Sequence, residues 1–102
     1  MINTGDVTPR LDTNSDFMVA VLSSSMHLEA KTGRIICCPF VPGRLSDDVL
    51  PLVVAVGQPA GTLLPELVQW LPASALGESV GNVGQEAVRK ATAILTALID
   101  AR

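Results

Sequence analysis

Proline and glycine divide most of this chain into apolar runs that are too short for ordinary helices. The 102 residues include 8 glycines and 7 prolines. Runs such as FMVAVLS (17–23) and GRIICCPFV (33–41) are rich in β-branched and apolar side chains. Short apolar runs bounded by turn residues are typical of strands. The pattern therefore predicts a set of short strands rather than a helical bundle.

The remaining runs extend this pattern. VLPLVVAVG (49–57) and TLLPELVQWL (62–71) predict two more strands, and a brief one is expected around 79–83. SSSMHLEA (23–30) offers serine N-caps for one or two helical turns. Because proline cannot donate a ladder hydrogen bond, Pro39 predicts an edge strand or a bulge in the second run.

The clearest helix lies at the C-terminus, in GQEAVRKATAILTALIDAR (84–102). Its apolar stripe consists of Val88, Ala91, Leu95 and Leu98, widened by Ile94 and Ile99. Short strands followed by one amphipathic helix predict an α+β fold, built on a small, curved antiparallel sheet or barrel with short helical turns. We expect residues 1–102 to form a single domain.

Composition indicates an oligomer. Apolar residues make up 48% of the chain and charged residues only 17%, against about 25% charged in average soluble proteins. A small domain cannot bury so much apolar surface alone, so part of it is expected to face another chain. The net charge of −3 argues against nucleic-acid binding through bulk positive charge. No membrane span or signal peptide is apparent, which favours the cytoplasm.

Cys37 and Cys38 are adjacent, so a strand would point them to opposite faces. A zinc site needs more ligands than His27, the single histidine, can add. We expect two small apolar side chains in a strand, and no metal or other cofactor. A redox role is the alternative, although no Cys-x-x-Cys motif is present.

The order of the segments resembles the MazF/PemK family of toxins. GDV (5–7), FMVAVLS, a helical turn, TGRIICCPFV (32–41), LVQWLP (67–72), LGESVGNV (76–83) and the closing helix match that family's RPALVLS, TGRVIVCPIT, VDQIRTL and LGERIGTL in order. The resemblance implies an SH3-like β-barrel, a homodimer, a cognate antitoxin partner and metal-independent cleavage of single-stranded RNA. The gyrase poison CcdB shares that fold.

Three positions depart from the family pattern. The arginine that stabilises phosphate charge in the family is replaced by Phe17, and the Ser or Thr after its CPI by Val41. The arginine of the DQIRT segment is replaced by Gln69. The Trp-Gly-Ile of CcdB is also missing. The alternative to a ribonuclease is therefore a non-catalytic toxin or binding module of the same fold, acting on a protein target.

Three residues are candidates to replace the missing catalytic groups. Arg10 lies in the first loop, Arg44 follows the second long strand, and His27 could transfer protons near neutral pH. The competing interpretation is a solvated surface charge for each arginine and a structural histidine in the helical turn. Trp70 could stack on a base, or anchor a core or a dimer interface.

Overall fold

The fold was analysed in a computed structural model, which describes residues 1–13, 16–43 and 52–100. Short strands, two helices and two single turns of 3-10 helix follow one another in the order expected of an α+β fold. The elements are β1 (Asp6–Pro9), β2 (Met18–Val21), α1 (Ser25–Glu29), β3 (Arg34–Pro42), β4 (Val54–Gly57), β5 (Ala60–Leu63), a 3-10 turn (Pro65–Leu67), β6 (Gln69–Pro72), a 3-10 turn (Ala73–Ala75), β7 (Gly81–Asn82) and α2 (Gln85–Ile99).

The strands form one antiparallel sheet in the order β4-β5-β3-β2-β1-β7, and β6 pairs with β3 alone. The sheet curls, because the chain after β6 returns to β1 through a bridge between Arg10 and Leu76. This return is reinforced where Leu11 N–H donates to the carbonyl oxygen of Ala75 at 2.8 Å. The predicted curved antiparallel sheet is confirmed.

Strand β3 contributes to two separate apolar clusters. Its alternate side chains point to opposite faces, so Cys37 lies in one cluster and Cys38 in the other. The inner cluster fills the curl of the sheet and consists of Val19, Val21, Ile35, Cys37, Leu71, Ala75 and Leu76. The outer cluster, which includes Val7, Ala20, Phe40 and Leu63, is covered by α2. Both cysteines are buried free thiols, as predicted for apolar strand residues.

The expectation of an edge strand or bulge at Pro39 is wrong. Strand β3 is central, and its register with β2 runs without a break from Met18↔Phe40 to Val21↔Cys37. On its other side β3 pairs with β6 over 34–37 and with β5 over 40–42. Pro39 therefore lies between the two partners, where no ladder donor is required, and its carbonyl oxygen accepts from Leu64 N–H at 3.1 Å.

The segment 62–71 is two strands rather than the single one predicted. Pro65 begins the 3-10 turn that separates β5 from β6. Its fixed φ suits the first position of such a turn, and without an N–H it cannot donate a hydrogen bond to a neighbouring strand. The turn redirects the chain, so that β5 and β6 can follow each other along the same edge of β3.

Helix α2 lies within the predicted segment 84–102, over Gln85–Ile99, and residues 101–102 lie outside the described residues. Val88 and Ala91 are buried, and Ile94 and Leu95 are partly covered by the outer cluster. The last turn of the apolar stripe is not buried, since Leu98 is exposed and Ile99 is 80% exposed. Among the described residues, no helix is long and apolar enough to cross a membrane.

Candidate functional site

Arg10 follows β1, where the chain after β6 bridges back to the sheet. Its backbone N–H donates to the carbonyl oxygen of Phe17 at 2.9 Å, which continues the β1–β2 register one step beyond Pro9↔Met18. Two residues earlier on the same face, Thr8 is fully buried beside the inner cluster. Because side chains alternate along a strand, the Arg10 side chain points to this inner face as well.

The guanidinium of Arg10 is held in place by polar neighbours. Its Nε and Nη2 donate to the two carboxylate oxygens of Asp12 at 2.9 and 2.8 Å. Its Nη1 lies 3.5 Å from Oε1 of Gln69, on the far side of the curl. The side chain is 19% exposed. The paired hydrogen bonds raise the pKa of Arg10 and lower the pKa of Asp12, because each favours the charged form of its partner.

The three positions where the resembling ribonucleases carry polar groups surround Arg10. Phe17 is its neighbour across β1 and β2. Val41 is expected beside Phe17, one step beyond the paired residues Met18 and Phe40. Gln69 contacts the guanidinium directly. The fold therefore places a different arginine, from a different strand, among these positions.

Buried side chains lie beneath Arg10. Cys37 and Thr8 are both fully buried there, and the hydroxyl of Thr8 has no hydrogen-bond partner among the described residues. Burial raises the pKa of the Cys37 thiol to about 12, and the positive charge of Arg10 acts in the opposite direction. The thiol is therefore protonated at neutral pH, which argues against a nucleophilic or redox role.

His27 lies away from Arg10. Ser23 follows Phe17 by six positions of the chain, which corresponds to roughly 20 Å of extended backbone. The Nδ1 atom of His27 is 2.7 Å from Oγ of Ser23, which also accepts a hydrogen bond from Ile36 N–H. The imidazole therefore holds α1 against the start of β3, which supports the structural interpretation.

The two remaining candidates are Arg44 and Trp70. Arg44 lies outside the described residues. Trp70 pairs with Ile36 across β3 and β6 and points away from Gln69, its neighbour in the chain. It is 57% exposed, which excludes a core role in the single chain. An interface anchor and a stacking platform remain its possible roles.

The site thus combines a fixed cation with an exposed aromatic ring. Arg10 offers a planar group suited to the oxygens of a phosphate. Phe17 is 59% exposed directly beside it. Sequence reasoning found Arg10 but missed Asp12. The signal was the Arg-x-Asp spacing, since two side chains on one loop can meet at short range.

The chain has the fold of the MazF-type proteins. It aligns with an endoribonuclease in complex with its cognate antitoxin from a mycobacterial species, with a TM-score of 0.78 and 16% identity over 100% of this chain and 98% of that one. It also aligns with MazF in a MazE–MazF complex of Deinococcus radiodurans, with a TM-score of 0.79 and 16% identity over 99% and 97% of the two chains.

Sequence comparison then gives the family. The type II toxin–antitoxin system toxin Rv0299 family matches residues 5–98. Toxin Rv0299 of Mycobacterium tuberculosis (strain ATCC 25618 / H37Rv) is 56% identical over 99 residues, covering 97% of this chain and 99% of that protein. The chain belongs to the Rv0299 family of type II toxin–antitoxin system toxins. The resemblance to MazF-like toxins is confirmed.

Proposed function

We propose that this chain is the toxin of a type II toxin–antitoxin module and that it cleaves single-stranded RNA without a metal ion. Family membership supports the role of toxin. The fold shared with an endoribonuclease supports the reaction. The observation that carries the proposal is the position of Arg10, which lies directly across the strand pair from the position of the family arginine, Phe17.

Arg10 is the proposed phosphate-binding group. In this cleavage the 2′-oxygen bonds to phosphorus as the bond from phosphorus to the 5′-oxygen breaks; solvent takes the 2′-hydroxyl proton and protonates the 5′-oxygen. Additional negative charge develops on the phosphate oxygens in the transition state. A preorganised, partly buried cation stabilises that charge more than it stabilises the ground state. Gln69 contacts the guanidinium from across the sheet, and Asp12 holds its other edge until a phosphate replaces the carboxylate. We include Arg44 as a second cation at the same substrate, and we assign His27 a structural rather than a proton-transfer role.

The toxin is proposed to act as a homodimer in the cytoplasm and to be neutralised by a cognate antitoxin. The single chain leaves large apolar side chains uncovered, at Trp70 and at the end of α2. Uncovered apolar surface of this kind marks an interaction site. The structurally similar proteins include MazF chains crystallised with MazE, which supports an antitoxin partner.

Induced expression in bacteria, together with RNA cleavage by the purified protein in EDTA, tests the proposal. We expect growth arrest on expression alone, growth on co-expression of the antitoxin, and cleavage that persists in EDTA. Arrest without RNA cleavage would favour the non-catalytic toxin with a protein target. Normal growth at a verified expression level would contradict the role of toxin.

A further inference from the structure

We propose that Phe17 is a base-stacking residue that holds the nucleotide next to the phosphate bound by Arg10. This inference rests on the proposed ribonuclease function and adds a base-binding residue to the same site. It assigns a new role to the one position where the chain replaces a catalytic arginine with an aromatic ring.

Phe17 is an exposed aromatic residue in a chain with few aromatic residues. Only 3% of its residues are aromatic, comprising two phenylalanines and one tryptophan. Phe40 is buried in the outer cluster, whereas Phe17 is 59% exposed. An exposed ring gains little from burial in the single chain, so its apolar face is available to a ligand.

The location of the ring then limits the ligand. Phe17 immediately precedes β2 and lies two residues before Val19, which belongs to the inner cluster. It is therefore on the same face as Arg10, its neighbour across the strands. Side chains opposite each other in an antiparallel pair are close enough to contact one group together. A nucleotide has a charged phosphate and a flat base joined by one ribose, so it matches a guanidinium beside a ring.

Trp70, the other exposed aromatic residue, does not share this position. Its side chain points to the opposite face from Gln69, whose amide contacts Arg10. The ring nearest the proposed phosphate site is therefore Phe17. Stacking on an aromatic side chain tolerates many bases but is lost when the base is removed.

The test uses a short RNA that spans a cleavage site mapped with the wild-type protein, with a 2′-deoxynucleotide at the cleaved position to prevent reaction. A second RNA lacks the base on the nucleotide next to that position. Binding is measured for the wild type, Phe17→Leu and Phe17→Trp. Met26→Ala removes an exposed apolar side chain on α1 and serves as the matched control.

We expect Phe17→Leu to bind the intact RNA about 10-fold more weakly, within the range of base–aromatic stacking. Phe17→Trp and Met26→Ala should bind like the wild type. Removal of the base should weaken the wild type as much as Phe17→Leu does, with no further loss in that variant. Circular dichroism verifies that each variant is folded, and Phe17→Trp tests the aromatic requirement if Phe17→Leu is not.

Equal losses on base removal in the wild type and Phe17→Leu would overturn the stacking role. So would wild-type affinity in Phe17→Leu, even if the protein cleaves RNA and depends on Arg10. A wild-type protein that neither cleaves nor binds RNA would instead overturn the proposed function, and this inference with it.

Discussion

The guanidinium of Arg10 and the carboxylate of Asp12 meet edge to edge, with Nε–Oδ1 and Nη2–Oδ2 distances of 2.9 and 2.8 Å. This is the geometry in which an arginine binds a phosphate. Asp12 therefore occupies the edge of Arg10 that two oxygens of an RNA phosphate would use.

We predict that Asp12→Asn binds RNA several-fold more tightly than the wild type. An amide competes less well than a carboxylate for the guanidinium, and one negative charge near the substrate is removed. Fluorescence anisotropy with the uncleavable RNA measures the affinity. The surface variant Glu86→Gln carries the same change of charge far along the chain and serves as control. Weaker binding by Asp12→Asn alone would mean that Asp12 mainly positions Arg10.

We predict that Arg10→Ala lowers the rate of RNA cleavage by about 10²- to 10³-fold, as loss of a fixed charge donor does elsewhere. Arg10→Lys should recover only part of this rate, because an ammonium cannot form paired hydrogen bonds with the phosphate. The side chain is partly exposed, so urea unfolding should show a small change in stability. Full activity of Arg10→Ala would contradict the proposed role. Arg34→Ala, which removes an exposed arginine at the start of β3, is the matched control.

The two buried thiols predict a loss of stability in alkali. Burial raises the pKa of Cys37 and of Cys38 to about 12, from 9.0. The unfolded chain therefore loses these protons first, and ionisation favours unfolding as the pH rises above about 9. We expect the urea midpoint to be steady up to about pH 8 and to fall between pH 9 and 10. The chain has no tyrosine to titrate in this range.

The control for this pH dependence is the variant Cys37→Ala/Cys38→Ala. This variant should lose about 1–2 kcal/mol of stability at neutral pH, because two buried thiol groups are removed from the core. Its alkaline decline should be shallower than that of the wild type, and its RNA cleavage should be unchanged. Equal slopes in the two proteins would show that other groups cause the decline. Lost activity at normal stability would restore the redox interpretation.

We predict a homodimer whose interface is apolar. Sedimentation should give twice the 10.7 kDa chain mass at low salt and at about 1 M salt, because screening acts on charges and not on buried methyl groups. Trp70 is the only tryptophan, so its fluorescence should shift to the red as dilution exposes it. Trp70→Ala should weaken the dimer, whereas Met26→Ala should not. A monomer at both salt concentrations would exclude the interface.

Local sequence patterns predicted the elements of this fold better than their connections. Helix α2 could be predicted because its stripe is long, and the faces of Cys37 and Cys38 because strand alternation is strict. The prediction from Pro39 was wrong, because a proline suits any strand position that needs no ladder donor. An edge strand provides such a position, and so does a gap between two partners on one side of a central strand. The gap beside Pro39 exists because the 3-10 turn that begins at Pro65 separates β5 from β6. Pro65 is distant from Pro39 in the sequence, so a local pattern does not reveal the gap.

The candidate site shows the same division. Arg10 could be singled out as a cation near the missing family arginine. Its pairing with Asp12 and its contact with Gln69 depend on how far the sheet curls, which residue types alone do not specify. The sequence did not show that His27 lies apart from Arg10. Strand β2 connects the two regions, and the distance that it spans depends on the fold.

Strand β3 supplies side chains to both apolar clusters and pairs with β2, β5 and β6. Neither cluster can be lost without removing one wall of the other. The described part of the chain should therefore unfold as one cooperative unit, with the amide protons of β3 the last to exchange with solvent. A protease that captures the open chain would then leave no stable fragment behind, so the toxin would be destroyed completely rather than trimmed.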